Sequence, residues 1–223
     1  MLPEARRAYN AAFTEERYQA LLRDLETECG DPIAFRVAET PLFLSRKIAE
    51  ELQKAAWEIL ETVTSEDYLR QTDRAVPAAL AVPGESEKPV FLQIDFALAR
   101  EGERIVPRLI ELQAFPSLYG FQWLLDRAFR RHFDIPAGMS PYFSGLDEKS
   151  YVDCLRGVIV GDCDTGEVIL LEVDPEHQKT RCDFVATEKL LGISTVCPRD
   201  VRERDGRLVH GNDVPIRRIY NRV

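Results

Sequence analysis

Glu111 and Gln113 stand two residues apart in the otherwise apolar run Leu109-Ile110-Glu111-Leu112-Gln113-Ala114-Phe115. In an extended chain, residues i and i+2 share a face about 6–7 Å apart, so the carboxylate and the amide project together. Ile110 and Leu112 then face the other way. Asp95 lies in a second apolar run, Leu92-Gln93-Ile94-Asp95-Phe96, and joins the same face if the two runs pair in register. Two carboxylates and an amide oxygen are hard donors of the kind Mg²⁺ takes, with phosphate oxygens and water completing the shell. Strands hold such ligands more rigidly than loops do. The same spacing also describes solvated charges on the wet face of a hairpin, and the pattern alone leaves both readings open. No glycine-rich phosphate loop or G-x-G-x-x-G accompanies it.

The elements that must position these residues follow from periodicity. Apolar spacing predicts a helix over residues 3–29, stopped by Gly30, and another over 42–63. A short helix is expected over 65–72, capped by Ser65, and residues 83–89 read as an exposed loop. Residues 90–99 and 105–115 read as two strands joined by Arg100-Glu101-Gly102-Glu103-Arg104, which makes an antiparallel hairpin. Helices over 118–133 and 147–160 follow. The run Val168-Ile169-Leu170-Leu171-Glu172-Val173 suits a strand buried on both faces. A helix over 179–191, a strand over 193–197, a hairpin turn at Arg204-Asp205-Gly206-Arg207 and a strand over 215–223 complete the pattern. The expected fold is mixed α/β. Residues 1–145 form N-terminal helices with the antiparallel hairpin, and residues 146–223 form a small α/β domain with parallel pairing.

The hairpin passage, continued through Pro116-Ser117-Leu118-Tyr119-Gly120, resembles the Asp-bearing and Glu-x-Asn strands of circularly permuted ATP-grasp ligases. The similarity is to the glutathione synthetase and glutathionylspermidine synthetase-like group. By that resemblance the metal ligands fall on Asp95, Glu111 and Gln113, where Gln replaces the family's Asn, keeps the carbonyl oxygen and adds a methylene. The family's small-residue and Gly positions fall on Ser117 and Gly120. Val168 to Glu172, Glu176-His177-Gln178, Glu188 to Ile193, Asp205 to Leu208 and Ile216 to Arg222 look like the substrate domain. The similarity covers about residues 90–223.

What the resemblance implies is a partial ATP-grasp-like architecture with Mg²⁺ and ATP as cofactors. The implied reaction joins a small-molecule carboxylate to an amine through an acyl phosphate, with Ser117, Glu172, Gln178 and Arg222 as substrate-binding candidates. A guanidinium such as Arg222 engages a carboxylate bidentately. The family's nucleotide-clamping lysines and a further metal-binding Glu come later in the permuted order. The expectation is therefore an incomplete nucleotide site, a chain inactive alone, and either the rest of a ligase or a second copy as partner. A non-catalytic binding or scaffold domain retaining this architecture is the alternative.

Composition constrains the setting. With 29 Lys and Arg against 38 Asp and Glu the net charge is −9, which gives no electrostatic footprint for nucleic acid. No apolar run approaches a membrane span, and the first residues lack the core of a secretory signal. Five cysteines without a CxxC, beside three histidines, argue against a zinc site and for reduced thiols in a cytoplasmic protein. Cys182 and Cys197 read as buried thiols, and Trp57 and Trp123 as core residues.

Overall fold

The helix expected over residues 3–29 is divided, because Thr14 caps where the pattern would continue. The computed structural model describes residues 2–72, 75–80, 82–84 and 88–223, and in it α1 is Pro3–Ala12 and α2 is Glu15–Cys29. Thr14 is extended and its hydroxyl accepts the Arg17 N–H at 3.2 Å, which satisfies one of the donors a helix start leaves unpaired. Gly30, at φ 75°, ends α2 in the left-handed region that glycine enters without strain.

The chain forms two compact units. One contains Leu42–Phe115, and the other combines Pro3–Pro41 with Pro116–Val223. The N-terminal helices thus share a unit with the strands that follow residue 146.

In the Leu42–Phe115 unit, Ser45 caps α3 (Arg46–Val63), and α4 (Glu66–Thr72) follows. β1 (Gln93–Glu101) and β2 (Arg104–Gln113) pair antiparallel as the expected two-stranded hairpin, and α3 lies against β2. Residues 85–87 of the expected 83–89 loop lie outside the described residues. Trp57 is 63% exposed, not a core residue. It lies off the stripe formed by Ile48, Leu52, Ala55, Ile59 and Val63, which the hundred-degree turn per residue keeps on one side of α3.

In the other unit, α2, α5 (Tyr119–His132) and α7 (Arg181–Leu191) pack on one another. Their contact surfaces include Leu21, Leu25, Phe121, Leu124, Ala128, Phe184 and Leu191, all buried. Trp123 is only half-buried, and its indole N–H donates to Glu148 at 2.9 Å. α6 (Glu148–Ile159) starts at an Asp147–Ser150 capping box. The parallel sheet has the order β4-β3-β8, with β3 (Val168–Leu171) between β4 (Ser194–Val196) and β8 (Arg218–Asn221). Val168, Ile169 and Leu170 are fully buried, as an uninterrupted apolar run in a central strand requires. The strand expected over 215–223 is split. β7 (Val214–Pro215) extends the antiparallel hairpin β5 (Arg202–Arg204) and β6 (Arg207–His210), and β8 begins only at Arg218. Ile216 N–H still donates to the Leu208 carbonyl of β6, and the change of partner comes at Arg217, whose N–H donates to the Glu167 carbonyl at 2.8 Å.

Gly157 lies exposed inside α6, and a Cβ there meets nothing within 4 Å. Gly157→Ala is expected to stabilise the protein by about 0.5–1 kcal/mol, because alanine removes backbone freedom from the unfolded chain at no steric cost. An unchanged or lower urea midpoint would contradict this.

Candidate functional site

The hairpin register sets Asp95 directly opposite Glu111, and Gln93 directly opposite Gln113. Side chains of directly opposed residues share a face with Cβ atoms about 4.5–5.5 Å apart. Two carboxylates and two amides therefore stand together at one end of the hairpin. Between Asp95 and Phe96 the register shifts, so that Phe96 pairs with Leu109 and Ile110 is the extra residue of a β-bulge. The bulge leaves the opposite face to Ile94, Leu112, Phe96 and Leu109. Asp95 and Glu111 are exposed, whereas Gln93 and Gln113 are half-buried. The Gln93 side-chain oxygen is buried and has no hydrogen-bond partner among the described residues. Gln93 did not emerge from the sequence, although its place two residues before Asp95 carried the signal. Farther along the same face, Arg108 pairs with Glu101.

Among the described residues, no group of three His, Cys, Asp or Glu side chains is arranged to hold a metal ion. The hairpin set has two carboxylates, and its other protein donors are amide oxygens. Such a set fits a hard cation that also takes phosphate and water oxygens.

The four substrate-binding candidates lie in the other unit. Glu172 and Gln178 both act on the peptide groups of Val173. The Glu172 carboxylate accepts the Val173 N–H at 2.8 Å, and the Gln178 amide donates to the Val173 carbonyl at 2.7 Å. They hold the turn that leaves the carboxyl end of β3, where Asp174 is left-handed at φ 48°. Arg222 emerges from the carboxyl end of the neighbouring β8, its backbone N–H bonded to the Leu171 carbonyl at 2.9 Å. The structure thus brings Glu172, Gln178 and Arg222 to one edge of the parallel sheet, where ligands of open α/β sheets commonly bind.

Arg222 does not face solvent there. Its side chain is 2% exposed, and its guanidinium donates to the Pro116 carbonyl, to Asp183 at 3.3 Å and to Thr180 at 3.4 Å. It also lies over the Phe184 ring, 5.2 Å from the centroid. Asp183, itself 0% exposed, was not singled out from sequence. Its only signal was a carboxylate between the apolar neighbours Cys182 and Phe184 in a helix. Burial pushes its carboxyl above the ordinary aspartate range, opposed by the Phe121 N–H, Arg222 and the Leu118 N–H.

The same carboxylate accepts the Leu118 N–H at 3.0 Å and the Phe121 N–H at 2.9 Å. Leu118 is the N-cap of α5 and has no capping side chain, so α7 supplies the cap in its place. Leu118 is left-handed at φ 61°, a conformation that a leucine keeps only where its surroundings hold it. Ser117, half-buried, sits between the Pro116 carbonyl and the Leu118 N–H that this pair secures. Gly120 answers a packing need. A Cβ there would lie 2.5 Å from Thr187 Oγ1 and 2.8 Å from the Thr187 backbone nitrogen.

Comparison of the chain with protein-family models, with curated proteins and with solved structures gives no match. Among the described residues, no helix is long and apolar enough to cross a membrane.

Proposed function

We propose that this chain supplies the cation-binding strand pair of an ATP-dependent carboxylate–amine ligase that works through an acyl phosphate. The observation that carries the reading is the direct pairing of Asp95 with Glu111, flanked on the same face by Gln93 and Gln113. Asp95 and Glu111 would hold Mg²⁺ as carboxylates, and Gln113 would offer a carbonyl oxygen. The Gln93 oxygen, buried without a partner among the described residues, is a further donor suited to that role. Bound Mg²⁺ supplies neutralisation of phosphate charge during transfer. The chain's own residues orient the ion and keep it on a rigid strand pair. Ser117, Glu172 and Gln178 remain acyl-substrate candidates in this reading, with Arg222 fixing the segments that carry them.

The internal partners of Arg222 favour a second reading, a non-catalytic binding or scaffold domain with ligase-like architecture. Its guanidinium already serves Pro116, Asp183 and Thr180.

Water-proton relaxation on titrating Mn²⁺, with and without ATP, tests the first reading. The wild-type chain is expected to bind weakly, more tightly with ATP present, and to show no ATP turnover. Asp95→Asn and Glu111→Gln should each weaken Mn²⁺ binding by roughly tenfold or more. Binding unaltered in both variants would remove the cation site. Brisk ATP hydrolysis by the chain alone would overturn the expectation of an inactive part.

A further inference from the structure

Helix α2 ends on Cys29, and Cys182 occupies the first turn of α7. Both are buried, at 2% and 5% exposure. Cys29 Sγ lies 3.8 Å from the Cys182 carbonyl oxygen, so the two cysteines are neighbours where α2 meets α7. Charged side chains fasten the end of α2 to α7 at two points along that helix. Arg181 donates to the Cys29 carbonyl at 3.4 Å and pairs with Asp31 at 2.8 Å. Lys189 binds both the carboxylate and the carbonyl of Glu28, at 2.8 and 2.6 Å. Neighbouring cysteines whose Cα atoms lie within about 7 Å can be bridged without large backbone movement, and a sulfur held this close to the other residue's backbone makes the pair a candidate. The other three cysteines differ in setting, since Cys154 is exposed, Cys163 half-buried and Cys197 buried.

We propose that Cys29 and Cys182 are a redox pair that closes to a disulfide on reaction with a small peroxide, tying the end of α2 to the start of α7. Cys29 is the attacking sulfur. Its thiol is lowered from the ordinary value, first by the Cys182 side chain and then by Lys189 and Arg181, against the opposing effect of burial. The Cys182 thiol is pushed up by Cys29, by burial and by the adjacent Asp183, which outweighs its favourable place at a helix start.

The Cys29 thiolate attacks one oxygen of hydrogen peroxide. The O–O bond breaks, and the departing hydroxide takes a proton to become water, leaving a sulfenic acid on Cys29. The Cys182 sulfur then attacks the Cys29 sulfur. The S–S bond forms, the S–O bond breaks, and hydroxide leaves with the Cys182 proton as a second water. Two thiols lose two electrons, and one peroxide is reduced to two waters. The product closes the long loop between residues 29 and 182, which restricts the unfolded chain strongly.

The test exposes the full chain to hydrogen peroxide, quenches, alkylates under denaturing conditions and maps peptides by mass. The expected result is a joined Cys29–Cys182 peptide lighter by two hydrogens, with Tm raised by about 5–10 °C. Cys29→Ser should abolish both effects, and Cys154→Ser should leave both in place. The proposal is overturned if Cys29 and Cys182 are fully alkylated after peroxide, if either ends as an unpaired sulfinic acid, or if either joins another cysteine. Mapping of the wild-type chain decides the matter even if Cys29→Ser folds poorly.

Discussion

Asp183→Ala is expected to lower the unfolding free energy by about 3–5 kcal/mol, because it removes the carboxylate facing a buried guanidinium and uncaps a helix at once. Arg222 is 2% exposed and would lose the Asp183 carboxylate while keeping the Pro116 carbonyl and the Thr180 hydroxyl among its acceptors. The Leu118 and Phe121 N–H groups would lose their acceptor in the same step. A lost cap alone costs about 1 kcal/mol, so the loss of the buried carboxylate beside the guanidinium dominates. In a protein of this size the loss corresponds to a Tm lower by roughly 10 °C, which calorimetry would read. The double variant Asp183→Leu/Arg222→Met should be markedly more stable than Asp183→Ala, since removing both charges removes the desolvation problem. If Asp183→Ala costs less than about 1 kcal/mol, the Asp183–Arg222 pair does not carry this share of the stability.

Gly120→Ala is expected to cost about 2–4 kcal/mol, although alanine is the better helix former. A Cβ 2.5 Å from Thr187 Oγ1 could be relieved by turning a side chain, but the second contact, 2.8 Å, is with the Thr187 backbone nitrogen. Relief of that contact requires α5 and α7 to move apart, which opens the packing of Phe121 and Phe184. The sign is therefore opposite to that of Gly157→Ala, and comparison of the two variants separates propensity from packing. Adding Thr187→Ala to Gly120→Ala should restore only part of the loss, because the backbone contact remains. Full restoration in urea unfolding would show that the hydroxyl alone sets the distance.

Both effects depend on features that the sequence carried unevenly. The hairpin was legible because alternation and a polar glycine-containing turn leave few other arrangements, and the run 168–171 announced a central strand by its lack of polar residues. The opposition of Asp95 and Glu111 was legible only as a condition on register. What settles the register is the bulge at Ile110, which has no signature of its own among Leu109, Ile110 and Leu112. Thr14 divides α1 from α2 as a cap, but the apolar spacing on either side of it suggested continuity. Arg222 showed the limit most clearly. Beside Tyr220 and Asn221 it reads as a ligand-binding arginine, and only tertiary structure reveals Asp183, 39 positions away, as its partner. A buried ion pair between distant segments leaves no local periodicity to read, and a glycine needed for helix approach looks in sequence like any other.

The bond between Arg222 and Pro116 spans 106 positions, and this separation has a consequence in time. At usual elongation speeds of roughly 5–20 residues per second, on the order of 5–20 s pass between synthesis of the acceptor and of its donor. In that interval β3 lacks β8, and the left-handed turn at Leu118 lacks the guanidinium that secures it. The apolar side of α2, with Leu21 and Leu25, waits still longer than α5 does for α7 to emerge. The nascent chain thus carries exposed leucines and an unpaired central strand on the ribosome, and its exposure to aggregation is governed by translation speed and chaperone access more than by the stability it finally reaches.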